Sequence, residues 1–105
     1  MKHKKFRVKT PLNTIISVNE EYWNYITTVK HPYMRNREDG IVKTLEDPDS
    51  IRQSKTDKAV YLFYRQTIYD GKRYHTCVVV NNAKGFVITA YITDRIKEGQ
   101  EIWKR

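Results

Sequence analysis

AVYLFYRQTIYDGKRYHTCVVVNNAKGFVITAYITD, residues 59–94, decides the architecture. From Ala59 the pattern is strand-like, because AVYLFYRQTI is dense in β-branched and aromatic residues. Asp70-Gly71 is a tight-turn dipeptide and RYHTCVVVN returns from it, which predicts a β-hairpin. Asn81 to Gly85 makes a second turn, and FVITAYITD is a third strand. Side chains alternate along a strand, so Phe86, Ile88, Ala90 and Ile92 are expected on one face. Val87, Thr89, Tyr91 and Thr93 are expected on the other. In the tail RIKEGQEIWKR, Gly99 marks a turn and EIW is a candidate fourth strand.

Upstream of Ala59 the period is mostly helical. Thr14 to Val18 reads as a short strand, and Asn19 as a helix N-cap followed by Glu20 and Glu21, where the helix dipole favours acids. Tyr22, Trp23, Ile26 and Val29 form an apolar stripe at helical spacing. Pro32 ends this helix and puts His31 at the break. A second helix is expected from about Met34 to Leu45, with Met34, Ile41 and Leu45 on one face, although Gly40 costs about 1 kcal/mol relative to Ala. Asp47-Pro48-Asp49 stops it, and Asp49 or Ser50 caps one more short turn, SIRQS. The expectation is an α+β domain: N-terminal helices packed on an antiparallel β-meander of three to four strands. Residues 1–18 read as a basic N-terminal arm with a short strand, and 19–105 as a single domain.

The chain has 105 residues, 20 Lys+Arg against 12 Asp+Glu, and a formal net charge of +8. That length holds one domain with one small core. The hydrophobic content of 39% separates it from disordered tails. A pI near 9.6 favours polyanionic partners, nucleic acid first. One cysteine, Cys77, excludes an internal disulfide framework, and His3, His31 and His75 lack the spacing of a zinc site. No metal and no cofactor is expected. The run Ile15-Ile16-Ser17-Val18 is too short for a signal-peptide core and AVYLFY too short for a membrane span, so no membrane association and a cytoplasmic location are expected. The charge is uneven: residues 1–9 carry five basic groups and no acid, 35–58 six of each sign, and 59–93 four basic groups and one acid.

Four residues suit phosphodiester chemistry. His31 stands at a helix break, and a histidine serves as acid or base near neutral pH. Arg65 lies inside an otherwise apolar strand, where its face is either solvated or occupied by an anion. Thr89 and Tyr91 share the less apolar face of the third strand and offer hydroxyls to a phosphate; Tyr91 also suits a proton relay. If one concave face gathers Arg65, Thr89 and Tyr91, His31 is expected at its rim. Lys5, Arg7, Lys30, Lys72, Arg73 and Lys84 are candidate phosphate contacts. Each has a structural reading too: His31 as a C-terminal helix residue, Arg65 paired with a surface acid, Thr89 and Tyr91 as ordinary strand residues, the lysines as a solvated arm. His75, mid-strand, reads as structural or solvent-facing, and His3 belongs to the basic arm.

The order of these pieces resembles a known family. YWNYITTVKHPYM, LEDPDSI, AVYLFYR, CVVVNN and FVITAYITDRIKEG follow one another over residues 19–98 as in the phage- and toxin-associated nucleases of the barnase–EndoU–colicin–RelE superfamily. The resemblance implies an α+β fold with an antiparallel sheet and metal-independent ribonuclease activity. It places the catalytic histidine at His31, the basic strand residue at Arg65 and the Thr-Ala-Tyr pair at Thr89 and Tyr91. Two positions depart from it. Asn24 or Tyr25 stands where many relatives have a helical His, and Tyr33 replaces the acid that follows His-Pro in several. The expected function is a small endoribonuclease of toxin or phage-effector type cleaving RNA, such as transfer or messenger RNA, by 2′-hydroxyl attack. The alternatives are a non-catalytic RNA- or DNA-binding module, or a subunit that grips an acidic antitoxin or immunity protein. The sequence leaves the oligomeric state open.

Overall fold

The computed structural model describes residues 4–96 and 99–105. His3 and Lys2 of the basic arm, and Lys97 and Glu98 of the tail, lie outside the described residues. The described chain forms seven strands: β1 (Lys4–Lys9), β2 (Ile15–Asn19), β3 (Ser50–Gln53), β4 (Val60–Tyr69), β5 (Lys72–Asn81), β6 (Phe86–Thr93) and β7 (Gln100–Lys104). Two short α-helices, α1 (Glu20–Tyr25) and α2 (Glu38–Glu46), lie between β2 and β3. All strands join one sheet in the order β1-β2-β6-β5-β4-β3-β7. The expected helices on a three- to four-stranded meander are therefore corrected to a seven-stranded, curled, mixed sheet in which helices are the minority.

The meander itself is present. β4 and β5 pair in full register from Val60↔Asn81 to Tyr69↔Lys72, and Asp70 and Gly71 both take positive φ in the turn between them. The extra strands come from segments whose strand character the sequence disguises. In β1 the cations Lys5, Arg7 and Lys9 alternate with Phe6 and Val8, so the charge hides a period of two. Val8 is buried, and Phe6 meets Trp23 edge-on at 5.9 Å. The arm expected over residues 1–18 is thus, from Lys4 onward, a two-stranded ribbon of the sheet. The segment SIRQS, expected as a capped turn, is instead β3, because Ser50–Gln53 pairs with β4 on one side and β7 on the other. Pairing on both sides outweighs the local capping signal, and it buries Ile51 completely.

The helices follow their sequence signals more closely. The Asn19 side chain accepts from the Tyr22 N–H at 2.7 Å, with Glu20 and Glu21 in the first turn. α1 then widens into a π-helical turn, Ile26–Lys30, which ends at His31 before Pro32. The second helix starts later than expected, because Pro32–Met34 forms a 3₁₀ turn and α2 begins only at Glu38. Ile41 and Leu45 of α2, Met34, and Trp23 and Ile26 of the first helical segment cover one face of the sheet. They meet Phe63, Val78, Val80, Val87 and Ala90 there, and each fully buried apolar side chain contributes about 1.5–3 kcal/mol.

The opposite face carries Leu62, Tyr64 and Cys77 fully or nearly buried, with Val79 and Tyr91 packed against them. A β-bulge alters the expected facing of β6. Val79 pairs with Thr89 but Val80 with Val87, so Ile88 is an extra residue. Val87 therefore joins the helix-covered core and Phe86 does not, the reverse of strict alternation. β2 meets β6 in parallel through one register pair, Ser17↔Phe86, with the Ser17 N–H donating to the Gly85 carbonyl at 2.9 Å. Gly85 is required there: its φ is +79°, and a Cβ would stand 2.6 Å from the Ile15 carbonyl oxygen.

Candidate nucleic-acid site at the edge of strand β6

Beyond that single rung β2 leaves β6, and the backbone groups along the rest of that edge need other partners. The first helical segment supplies them. The Ile88 carbonyl accepts from the Tyr22 hydroxyl at 2.7 Å and from Lys30 Nζ at 3.3 Å. The Ile92 N–H donates to the Tyr33 hydroxyl at 3.4 Å. The π-helical turn closes with the His31 N–H donating to the Ile26 carbonyl, five residues back, at 2.8 Å. Its C-terminal end thus carries Lys30 and His31 to the strand edge.

His31 arrives beside the expected hydroxyl group. Its ring centroid lies 5.6 Å from that of Tyr91 and 5.7 Å from that of Tyr33. Tyr91 and Thr89 share the face of β6 that carries Cys77 and Val79 as strand partners, about 7 Å apart by strand rise. His31 therefore meets Tyr91 at this rim, and Thr89 lies two residues further along the same face. Partial burial lowers the His31 pKa below its ordinary value of 6.5, and the neighbouring Lys30 charge lowers it further. The imidazole is neutral at pH 7, the form a general base needs. Burial raises the Tyr91 pKa strongly, assisted by Cys77 beside it, then Tyr64 and Tyr33. Tyr91 thus keeps its proton near neutral pH. The Thr89 hydroxyl is buried and has no hydrogen-bond partner among the described residues. Lys30 Nζ bonds the Tyr22 hydroxyl and the Ile88 carbonyl, both at 3.3 Å, and an ammonium has a third proton for an anion.

Arg65 does not join them. It pairs with Thr76, one residue out of step with the Tyr64–Cys77–Tyr91 row, so it points to the other face of the sheet. There its guanidinium donates to the Asp47 carbonyl at 2.6 Å and to the Asp47 carboxylate at 3.3 Å, closing the C-terminus of α2. The shared surface expected of Arg65, Thr89 and Tyr91 is corrected accordingly: alternation within β4 sets Arg65 against the helix layer.

The expected phosphate contacts are dispersed. Lys72 and Arg73 are exposed at one end of β5, while Lys84 is exposed in the turn after its other end, about 30 Å away by strand rise. Arg7 is exposed on β1, and Lys5 is paired with Glu38 at 3.2 Å. Of the six, Lys30 neighbours His31 in the chain, and its charge acts on the His31 ring. His75 meets Tyr64 edge-on, and its buried Nδ1 has no hydrogen-bond partner among the described residues.

Sequence reasoning missed the aromatic row that continues from His31. Tyr33 stands 6.0 Å from Tyr69, Tyr69 stands 5.8 Å from Tyr74, and the Arg37 guanidinium lies 4.7 Å from the Tyr69 ring centroid. The signal was the eight tyrosines, whose convergence depends on the fold. Among the described residues no three His, Cys, Asp or Glu side chains group as metal ligands, and no helix is long and apolar enough to cross a membrane. No protein family, curated protein or solved structure matches the chain.

Proposed function

We propose that the chain binds single-stranded RNA along the β6 edge and cleaves it there by 2′-hydroxyl attack. The observation that carries this reading is the meeting of a neutral His31 with Tyr91, on the face that also holds the unpartnered Thr89 hydroxyl. His31 takes the proton from the 2′-hydroxyl as the 2′-oxygen attacks phosphorus. The bond to the 5′-oxygen breaks, and that oxygen receives a proton from water. The products are a 2′,3′-cyclic phosphate and a 5′-hydroxyl end. Tyr91 and Thr89, whose hydroxyls are buried, form the wall behind His31 rather than contacts to the phosphate, and Lys30 takes the charge-neutralising place first assigned to Arg65. Tyr33, whose ring centroid lies 5.7 Å from that of His31, supplies a face for an unpaired base. Such an enzyme acts in the cytoplasm, restrained by an acidic antitoxin or immunity partner that complements its net charge of +8.

The departure of Arg65 from the group favours a second reading, a module that binds RNA without cutting it. Incubating purified protein with mixed RNA in excess chelator separates the two. Wild type is expected to yield cyclic-phosphate ends and His31→Ala none. Equal cleavage by both removes His31 from the chemistry, and salt-sensitive binding without products establishes the binding module instead.

A further inference from the structure

Where β2 and β6 part, a cleft of about 500 Å³ opens, within the range of small-ligand sites. Tyr22 and Tyr25 of α1 form one wall, and Phe86 and Val87 of β6 another. Tyr25 and Phe86 remain 44% and 40% exposed. Lys30 Nζ lies 5.7 Å from the Tyr22 ring centroid and 5.6 Å from that of Tyr25. We propose that this cleft holds one unpaired nucleobase of the RNA strand, stacked on Tyr25 and Phe86, with its phosphate outside against Lys30. This rests on the RNA reading above and names a specificity site for it.

Charge fixes the orientation. The lining of the cleft, Val18, Asn19 and Glu21 beside the four residues just named, contains no basic residue among those described, so it offers a base an apolar, aromatic seat and a phosphate no counter-charge. The cations lie outside: Lys30 sits beside the Tyr22 and Tyr25 rings and immediately precedes His31 in the chain, and exposed Lys84 stands two residues before Phe86. A base in the cleft therefore hands the backbone directly to Lys30 and the adjacent His31. A paired base has its face covered by its stacked neighbours, so the cleft selects single strands. The extra residue at Ile88 makes this possible, because it leaves Phe86 outside the core while Val87 fills it.

The test uses the His31→Ala protein, which keeps the RNA intact, with a labelled eight-nucleotide single strand and a hairpin of matched length at 0.1 M salt. Tyr25→Leu and Phe86→Leu remove a ring but keep apolar bulk; Tyr25→Phe and Phe86→Tyr keep the ring. Each Leu variant is expected to weaken single-strand binding about 10-fold, leave hairpin binding within twofold, and melt within a few degrees of its parent. The ring-retaining variants are expected to bind as the parent does. Unchanged single-strand affinity in both Leu variants, or equal loss on both probes, overturns the cleft assignment while cleavage by the unmodified chain still stands. A parent that binds neither probe overturns the RNA reading itself.

Discussion

Arg65→Ala separates a scaffold residue from a phosphate ligand. The guanidinium donates to the Asp47 carbonyl at 2.6 Å and contacts its carboxylate at 3.3 Å. A hydrogen bond from a charged donor contributes about 1.5–3 kcal/mol when well buried. Arg65 is 30% exposed, and Arg105 donates to the same carbonyl at 2.9 Å, so the low end applies. The part-exposed ion pair adds at most about 0.5 kcal/mol. The loss is then about 1.5–2 kcal/mol, and at about 4–8 °C per kcal/mol for a domain of this size the melting temperature falls by on the order of 10 °C. Thermal unfolding followed by circular dichroism reads this directly. RNA binding measured across a salt series supplies the control, since each phosphate contact to a single strand contributes about 0.7 to the slope of log affinity against log salt. The expected result is a lower melting temperature with an unchanged slope. An unchanged melting temperature with a shallower slope refutes the assignment and returns Arg65 to the phosphate.

Two further outcomes follow from the β6 rim. The lowered His31 pKa means that cleavage rises with pH through a midpoint below 6.5 and then levels, which a pH–rate profile and an NMR titration of the ring check. The unfolded chain takes up that proton more readily, so this group also removes stability as pH falls below 6.5; a midpoint above 6.5 contradicts the environment described. Thr89→Val removes a buried hydroxyl without a partner among the described residues, so it is expected to raise stability by about 1 kcal/mol in urea unfolding and to leave the cleavage rate within a few fold. Loss of stability in that variant contradicts the unsatisfied hydroxyl.

The parts of this fold that were legible are those set by neighbours in sequence. Asn19 caps α1 because the bond it makes spans three residues, and Asp70-Gly71 turns the hairpin because its own backbone permits positive φ. What escaped depends on distant partners. Ser50–Gln53 is a strand only because two other strands flank it, and Lys4–Lys9 only because Phe6 and Val8 find a core beneath their charged neighbours. The site divides the same way. His31 was legible at its helix break, and Thr89 and Tyr91 as a pair on one strand face. Arg65 was misread because its partner, Asp47, lies 18 residues away on the helix layer.

The bulge in β6 gives the strand a parity that sequence comparison alone overlooks. Positions 86–87 and 89–93 obey opposite odd–even rules, although both serve one core. Removing Ile88 is therefore not the loss of one side chain. It removes the bulge: Val87 then directly precedes Thr89, keeps its place opposite Val80 and stays inward with Phe86 outward, but the carbonyl that holds Tyr22 and Lys30 at the strand edge is lost. Ile88 matters through its backbone carbonyl, which any residue supplies, so the position tolerates substitution far more readily than deletion.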